Sequence, residues 1–191
     1  MTHADLVSAL WALGRGTGVV ALVLFTISIV LGIVARSGRR VPWLGRFGTS
    51  DLHRTAALTG TGLVVAHVGT LLFDPYAQLK LVDFVFPFLA TYRPLWLGLG
   101  TMAVDLLAVV TIVSLLRQRV GPRVFRTVHW ATYLLWPTAL AHALGSGTDA
   151  GTAWFRGLAV VCIGLVTVAV GWRLSPSYAD RGWLRHPRRT A

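Results

Sequence analysis

Four of the six histidines lie in stretches apolar enough to enter a bilayer, and they come as two pairs. His53 and His67 are fourteen positions apart, His129 and His142 thirteen. An ionisable side chain inside a membrane span is by default a functional residue. At about 1.5 Å of rise per residue each pair spans roughly 20 Å, which puts one histidine near each face of the membrane. One span separates the two carrier helices, so they run in the same direction and His53 shares a depth with His129, His67 with His142. Two neutral imidazoles facing each other can clamp one metal macrocycle, the ligation of a low-spin, six-coordinate electron-transfer haem. Two such sites would form a wire across the bilayer. The structural alternative is that each histidine only hydrogen-bonds to a neighbour in the bundle. Matched depths on parallel helices favour ligation.

Spacing also sets a difficulty. On an ideal helix a fourteen-residue step returns to within about 40° of the same face, whereas a thirteen-residue step misses by about 140°. Pro137, between His129 and His142, removes a helical hydrogen bond, and a kink there would bring both side chains toward one partner helix.

The residues around the histidines extend this reading. Arg54 and Arg126 flank the His53–His129 level, and Arg15, Arg93 and Arg156 lie near the opposite boundary; each can bond a propionate or simply snorkel to the interface. Gly60 and Gly62, midway between His53 and His67, leave room for a porphyrin face or a neighbouring helix. Tyr133 and Trp136 fall between the two levels, as an electron path or as core aromatics. Asp105, in the middle of an apolar run, must find a partner or stay protonated; it can carry a proton, orient a histidine or bond a nearby Thr. His3 and His186 belong to the tails and receive no role, and Cys162 reads as a small packing residue. The run GRGTG at 14–18 is no nucleotide fingerprint, because no strand precedes it.

These residues need helices to position them. Hydrophobic residues make up 54% of the chain and charged ones only 13%, which takes it out of the soluble globular range. Apolar periodicity predicts an all-α integral membrane bundle of about five transmembrane helices, near 14–35, 51–73, 95–116, 124–144 and 153–173, followed by a basic tail at 174–191. Residues 1–191 then form one domain, with no length left for a flavin or nicotinamide domain. The first helix is too long for a signal-peptide core and is expected to be retained. There is no Glu, and the seven Asp are the only acids.

The net charge of +11 would suggest nucleic acid in a soluble protein, but here the arginines cluster between apolar runs and are better explained by topology. The groups Arg36, Arg39, Arg40, Arg46; Arg117, Arg119, Arg123, Arg126; and Arg173, Arg181, Arg185, Arg188, Arg189 predict cytoplasmic loops and a cytoplasmic C-terminus in a cell membrane, with the N-terminus outside. The loop from Asp74 to Pro94 carries three prolines and is expected to lie along the outer interface, with Tyr92 and Trp96 at headgroup depth.

The double histidine spacing, together with HRTAAL, AHVGTL, RTVHWATYLLWP and ALAHALGSGTD, resembles the ferric reductase-like transmembrane domain family, which includes ferric reductases and the membrane part of NADPH oxidases. The resemblance implies two b haems, one held by His53 with His129 on the cytoplasmic side and one by His67 with His142 on the outer side. It also implies electron flow outward. The larger relatives continue into flavin- and NADPH-binding domains, so this chain is more similar to the short bacterial members, including the haem subunit of periplasmic methionine sulfoxide reductase systems. A separate flavoprotein or a quinol is then the expected electron donor. Against this oxidoreductase reading stand a non-redox proton or metal-ion conduit using the same histidines, and a cofactor-free membrane anchor for a partner enzyme.

Overall fold

Thr2 caps the first helix through its hydroxyl, which accepts from the Asp5 amide, while the Asp5 carboxylate accepts from the Thr2 amide. From this start α1 runs unbroken over His3–Ser37 and stops at Gly38, whose left-handed backbone (φ 66°) closes the last turn. At 35 residues it is about 52 Å long, more than the roughly 30 Å hydrocarbon core. Its end turns therefore extend beyond the apolar slab. The computed structural model describes residues 2–39, 46–73 and 79–179. Arg40, the loop at 74–78, and the tail residues 180–191, including His186, lie outside these residues.

Five further α-helices follow: α2 (Arg46–Phe73), α3 (Pro94–Leu115), α4 (Arg117–His129), α5 (Thr132–Ser146) and α6 (Ala153–Leu174). A 3-10 turn at Leu81–Phe84 precedes α3, and the described residues contain no strand. The protein is thus an all-helical membrane bundle. Four helices, α1, α2, α3 and α6, are each long and apolar enough to cross a membrane. Side chains such as Val65, Val160 and Val168 point outward, as lipid-facing positions require.

The crossing expected at 124–144 is divided. Residues Arg117–Val120 and Pro122–His129 are separated by Gly121, whose extended, positive-φ backbone suits glycine alone before a proline. The chain then breaks between His129 and Thr132, nearly two turns before Pro137, which itself sits inside α5. There the amides of Ala131, Tyr133 and Leu134 bond three residues back, to Val128, Trp130 and Ala131. Each such 3-10 step adds about 20° of rotation over an α-helical one, so the three recover about 60° of the misfit between His129 and His142. The expected kink takes the form of a tightened 3-10 stretch and lies upstream of the proline.

Packing divides into two regions that share α1 and α5. The dry core joins α1, α5 and α6 through Leu22, Trp136, Leu140, Ala159, Cys162 and Val166, with Cys162 a free, buried thiol. Trp136 anchors it by donating its indole N–H to Thr26 Oγ1 at 2.9 Å. On the other side, α2 lies along α1, and α3 lies against α5. The segment 79–93 does not cross. It folds back on α3, where Thr101 donates to the Asp83 carbonyl and Phe88 packs on Gly98, and it leaves Leu81, Val85, Phe86 and Leu89 exposed as an interfacial segment would.

Candidate functional site

The histidines meet in the expected partners. The His53 and His129 ring centroids are 6.2 Å apart with planes at 76°, and those of His67 and His142 are 6.5 Å apart at 78°. Both contacts together require α2 and the α4–α5 strand of chain to run parallel through the same depth. The level of His67 opens into a cavity of about 310 Å³ bounded by α1, α2, α3, α5 and the α5–α6 loop.

Three of the four rings are docked in one way. His53 Nδ1 donates to the Ser28 carbonyl at 2.8 Å, His67 Nδ1 to the Gly14 carbonyl at 2.7 Å, and His142 Nδ1 to the Trp96 carbonyl at 2.8 Å. A carbonyl only accepts, so each Nδ1 carries the proton and each Nε2 keeps a free lone pair. Four residues beyond each carbonyl stands a glycine: Gly32, Gly18 and Gly100. A Cβ there would lie 3.2 Å from the His53 ring, 3.1 Å from the His67 ring and 2.6 Å from the His142 ring. The missing side chain lets the imidazole lie on the helix and reach the carbonyl one turn back. Gly18 and Gly32 are fourteen apart on α1 because they serve histidines fourteen apart on antiparallel α2. That mirrored spacing is visible in the sequence and was the signal for these residues. Attention to Gly60 and Gly62 missed it: Gly60 instead admits Phe25 of α1, and a Cβ on Gly62 would meet open space.

The flanking residues take other places. Arg54 and Arg126 are exposed, on α2 and α4. Arg15 lies over the Trp11 ring at 4.0 Å and pairs with Asp149, Arg93 donates to the Gly145 carbonyl, and Arg156 donates to that of Ala150. Arg15 and Arg156 thus hold the α5–α6 loop, which lines the cavity, and Arg93 holds the last turn of α5. Ser146 Oγ, which belongs to a residue lining that cavity, is buried without a hydrogen-bond partner among the described residues. Tyr133 accepts from Arg173 at 2.7 Å, and Trp136 belongs to the core. Phe25, midway along α1 between Gly18 and Gly32, lines the cavity. Asp105 orients none of the three docked histidines, whose Nδ1 partners are backbone carbonyls and, for His53, the Ser28 hydroxyl at 3.0 Å as well. It is half-buried on α3 beside exposed Ala108, Val109 and Ile112, with no hydrogen bond to the described residues.

The arrangement suits a macrocycle better than a bare ion. Metal–imidazole bonds of about 2.0 Å, with each ring centroid about 1.1 Å behind its nitrogen, place two axial rings about 6.2 Å apart. The separations at the two levels, 6.2 and 6.5 Å, lie within a few tenths of an ångström of it. Among the described residues no three His, Cys, Asp or Glu side chains converge to hold an ion alone. A porphyrin brings four nitrogens of its own, so two imidazoles suffice.

The profile of the family described as "Ferric reductase like transmembrane component" matches residues 17–140. The chain belongs to this family. The match takes in His53, His67 and His129 and ends two positions before His142, whose place rests on its contact with His67. No curated protein and no solved structure gives a match. Ferric reductase-like domains generally bind haem, and membership of the family marks this multi-pass membrane protein as a transmembrane electron-transfer component.

Proposed function

We propose that the chain is a di-haem b electron-transfer component, with one haem between His53 and His129 and the second between His67 and His142. The observation that carries the reading is the pair of ring separations, 6.2 and 6.5 Å, at two depths. Haem bound there would supply reversible one-electron carriage by iron. The chain's own residues do the rest. The carbonyls of Ser28, Gly14 and Trp96 hold the imidazoles in the tautomer that presents Nε2, and the glycines four residues on set how closely each ring lies on its helix. Ser146, with its unpaired hydroxyl, and Arg15 are suited to the polar edge of a porphyrin at the His67 level. Arg54 and Arg126 serve the same purpose at the His53 level from the exposed rim. Purified protein expressed with ample haem is expected to show a b-type reduced spectrum after dithionite and two haems per chain by quantitation. A colourless protein refutes the reading.

The direction follows from charge. Arg36, Arg39, Arg117, Arg119, Arg123, Arg126 and Arg173 support a His53 level on the cytoplasmic side of a cell membrane. Electrons then enter there from a separate flavoprotein or from quinol and leave at the His67 level to an outer acceptor. Reporter fusions are expected to find the C-terminus in the cytoplasm and the N-terminus outside. A cytoplasmic N-terminus would reverse the assignment of donor and acceptor faces.

A further inference from the structure

His129 is the exception among the four rings. Its Nδ1 is buried and has no hydrogen-bond partner among the described residues; the ring stacks on Phe125, one turn back, at 5.2 Å and 27°, and meets His53 edge-on. Gly18, Gly32 and Gly100 seat the other three rings, and among the described glycines none lies against the His129 ring. His129 is moreover the last residue of α4, beside the helix break, whereas His53, His67 and His142 sit inside helices.

An imidazole that binds iron through Nε2 carries its proton on Nδ1. At three positions that proton rests on a carbonyl, which fixes the ring and strengthens the donor nitrogen. At His129 it is buried with no acceptor among the described residues, so ligation through His129 is the weaker by the loss of one buried hydrogen bond. Resting on the haem reading above, we propose that His129 is the exchangeable ligand: the His53 level admits a small neutral diatomic ligand in its place, while the His67 level stays closed. The exchange breaks one coordinate bond, from His129 Nε2, and forms one to the incoming ligand. Both are neutral two-electron donors, so no proton is released and no redox partner is needed.

Carbon monoxide is the probe, added to the dithionite-reduced two-haem protein in detergent and followed in the Soret region. One of the two haems is expected to convert at a concentration about ten-fold below that needed for the other, the factor that one unpaired buried N–H is worth. Phe125→Asn places a side-chain carbonyl one turn from His129 and is expected to raise the concentration for that haem about ten-fold, leaving the other unchanged. Conversion of both haems together, of neither, or of one whose affinity ignores Phe125→Asn overturns the inference while leaving two bound haems in place. Absence of haem from the purified protein would instead overturn the functional reading, and this inference with it.

Discussion

Gly100→Ala is expected to cost the protein its outer haem and to leave the inner one. The added Cβ would stand 2.6 Å from His142 Nδ1 and 2.7 Å from Cε1, well inside contact distance, and the ring cannot retreat without abandoning the Trp96 carbonyl. Haem content should fall from two to about one per chain, the loss expected when an outer-shell partner of a ligand histidine is destroyed along with its geometry. Gly18→Ala and Gly32→Ala should act more mildly, since their Cβ atoms would lie 3.1 and 3.2 Å from the His67 and His53 rings and a shift of a few tenths of an ångström relieves them. Their effects should separate by level, outer for Gly18 and inner for Gly32. Gly62→Ala, where a Cβ meets nothing, is the control and should keep both haems. Haem quantitation and reduced spectra of the four variants check the order. Equal losses at Gly100 and Gly62 would mean that the glycines do not seat the histidines.

Why these glycines escaped a reading of the sequence is physical. Histidines in apolar runs stand out because water is absent there, so a polar group must have a reason. A glycine in a transmembrane helix has many reasons, and small residues are common at any helix contact. Only the register between α1 and α2 distinguishes Gly18 and Gly32 from Gly16 and Gly62, and register is a property of two chains in contact. The helices themselves were legible because hydropathy decides them locally. What hydropathy did not show was the break in the fourth crossing. Pro137 marked the right helix, but the 3-10 bonds that rotate His129 toward its partner lie at Ala131–Leu134, upstream of the ring that provokes them. The arginines illustrate the converse. Arg15, Arg93 and Arg156 were recognisable as boundary residues, yet which oxygen each would meet depended on where the last turn of α5 and the α5–α6 loop came to rest.

The pairing of ligands makes the second large effect. On the proposed reading His67→Ala and His142→Ala should each remove the same outer haem, because the two rings face one another across 6.5 Å and would serve one iron. The double variant should then lose little more than either single one, a strongly non-additive result of the kind that residues sharing one partner give. Combining His67→Ala with His53→Ala draws one ligand from each level and should empty both. Transfer from a cytoplasmic-side donor to an outer acceptor should fail in every one of these proteins: where one haem survives, a gap of roughly 20 Å opens between it and the far surface, and where both levels are empty no carrier remains. Phe25, seated against Gly60 between the levels, cannot bridge that gap alone, because it offers no redox centre of its own. Haem content, redox titration and the resonance signals of the ferric protein distinguish the two sites. If His67→Ala and His142→Ala removed haems of different potential, the rings that touch would not be co-ligands, and the two-level arrangement would be wrong even with haem bound.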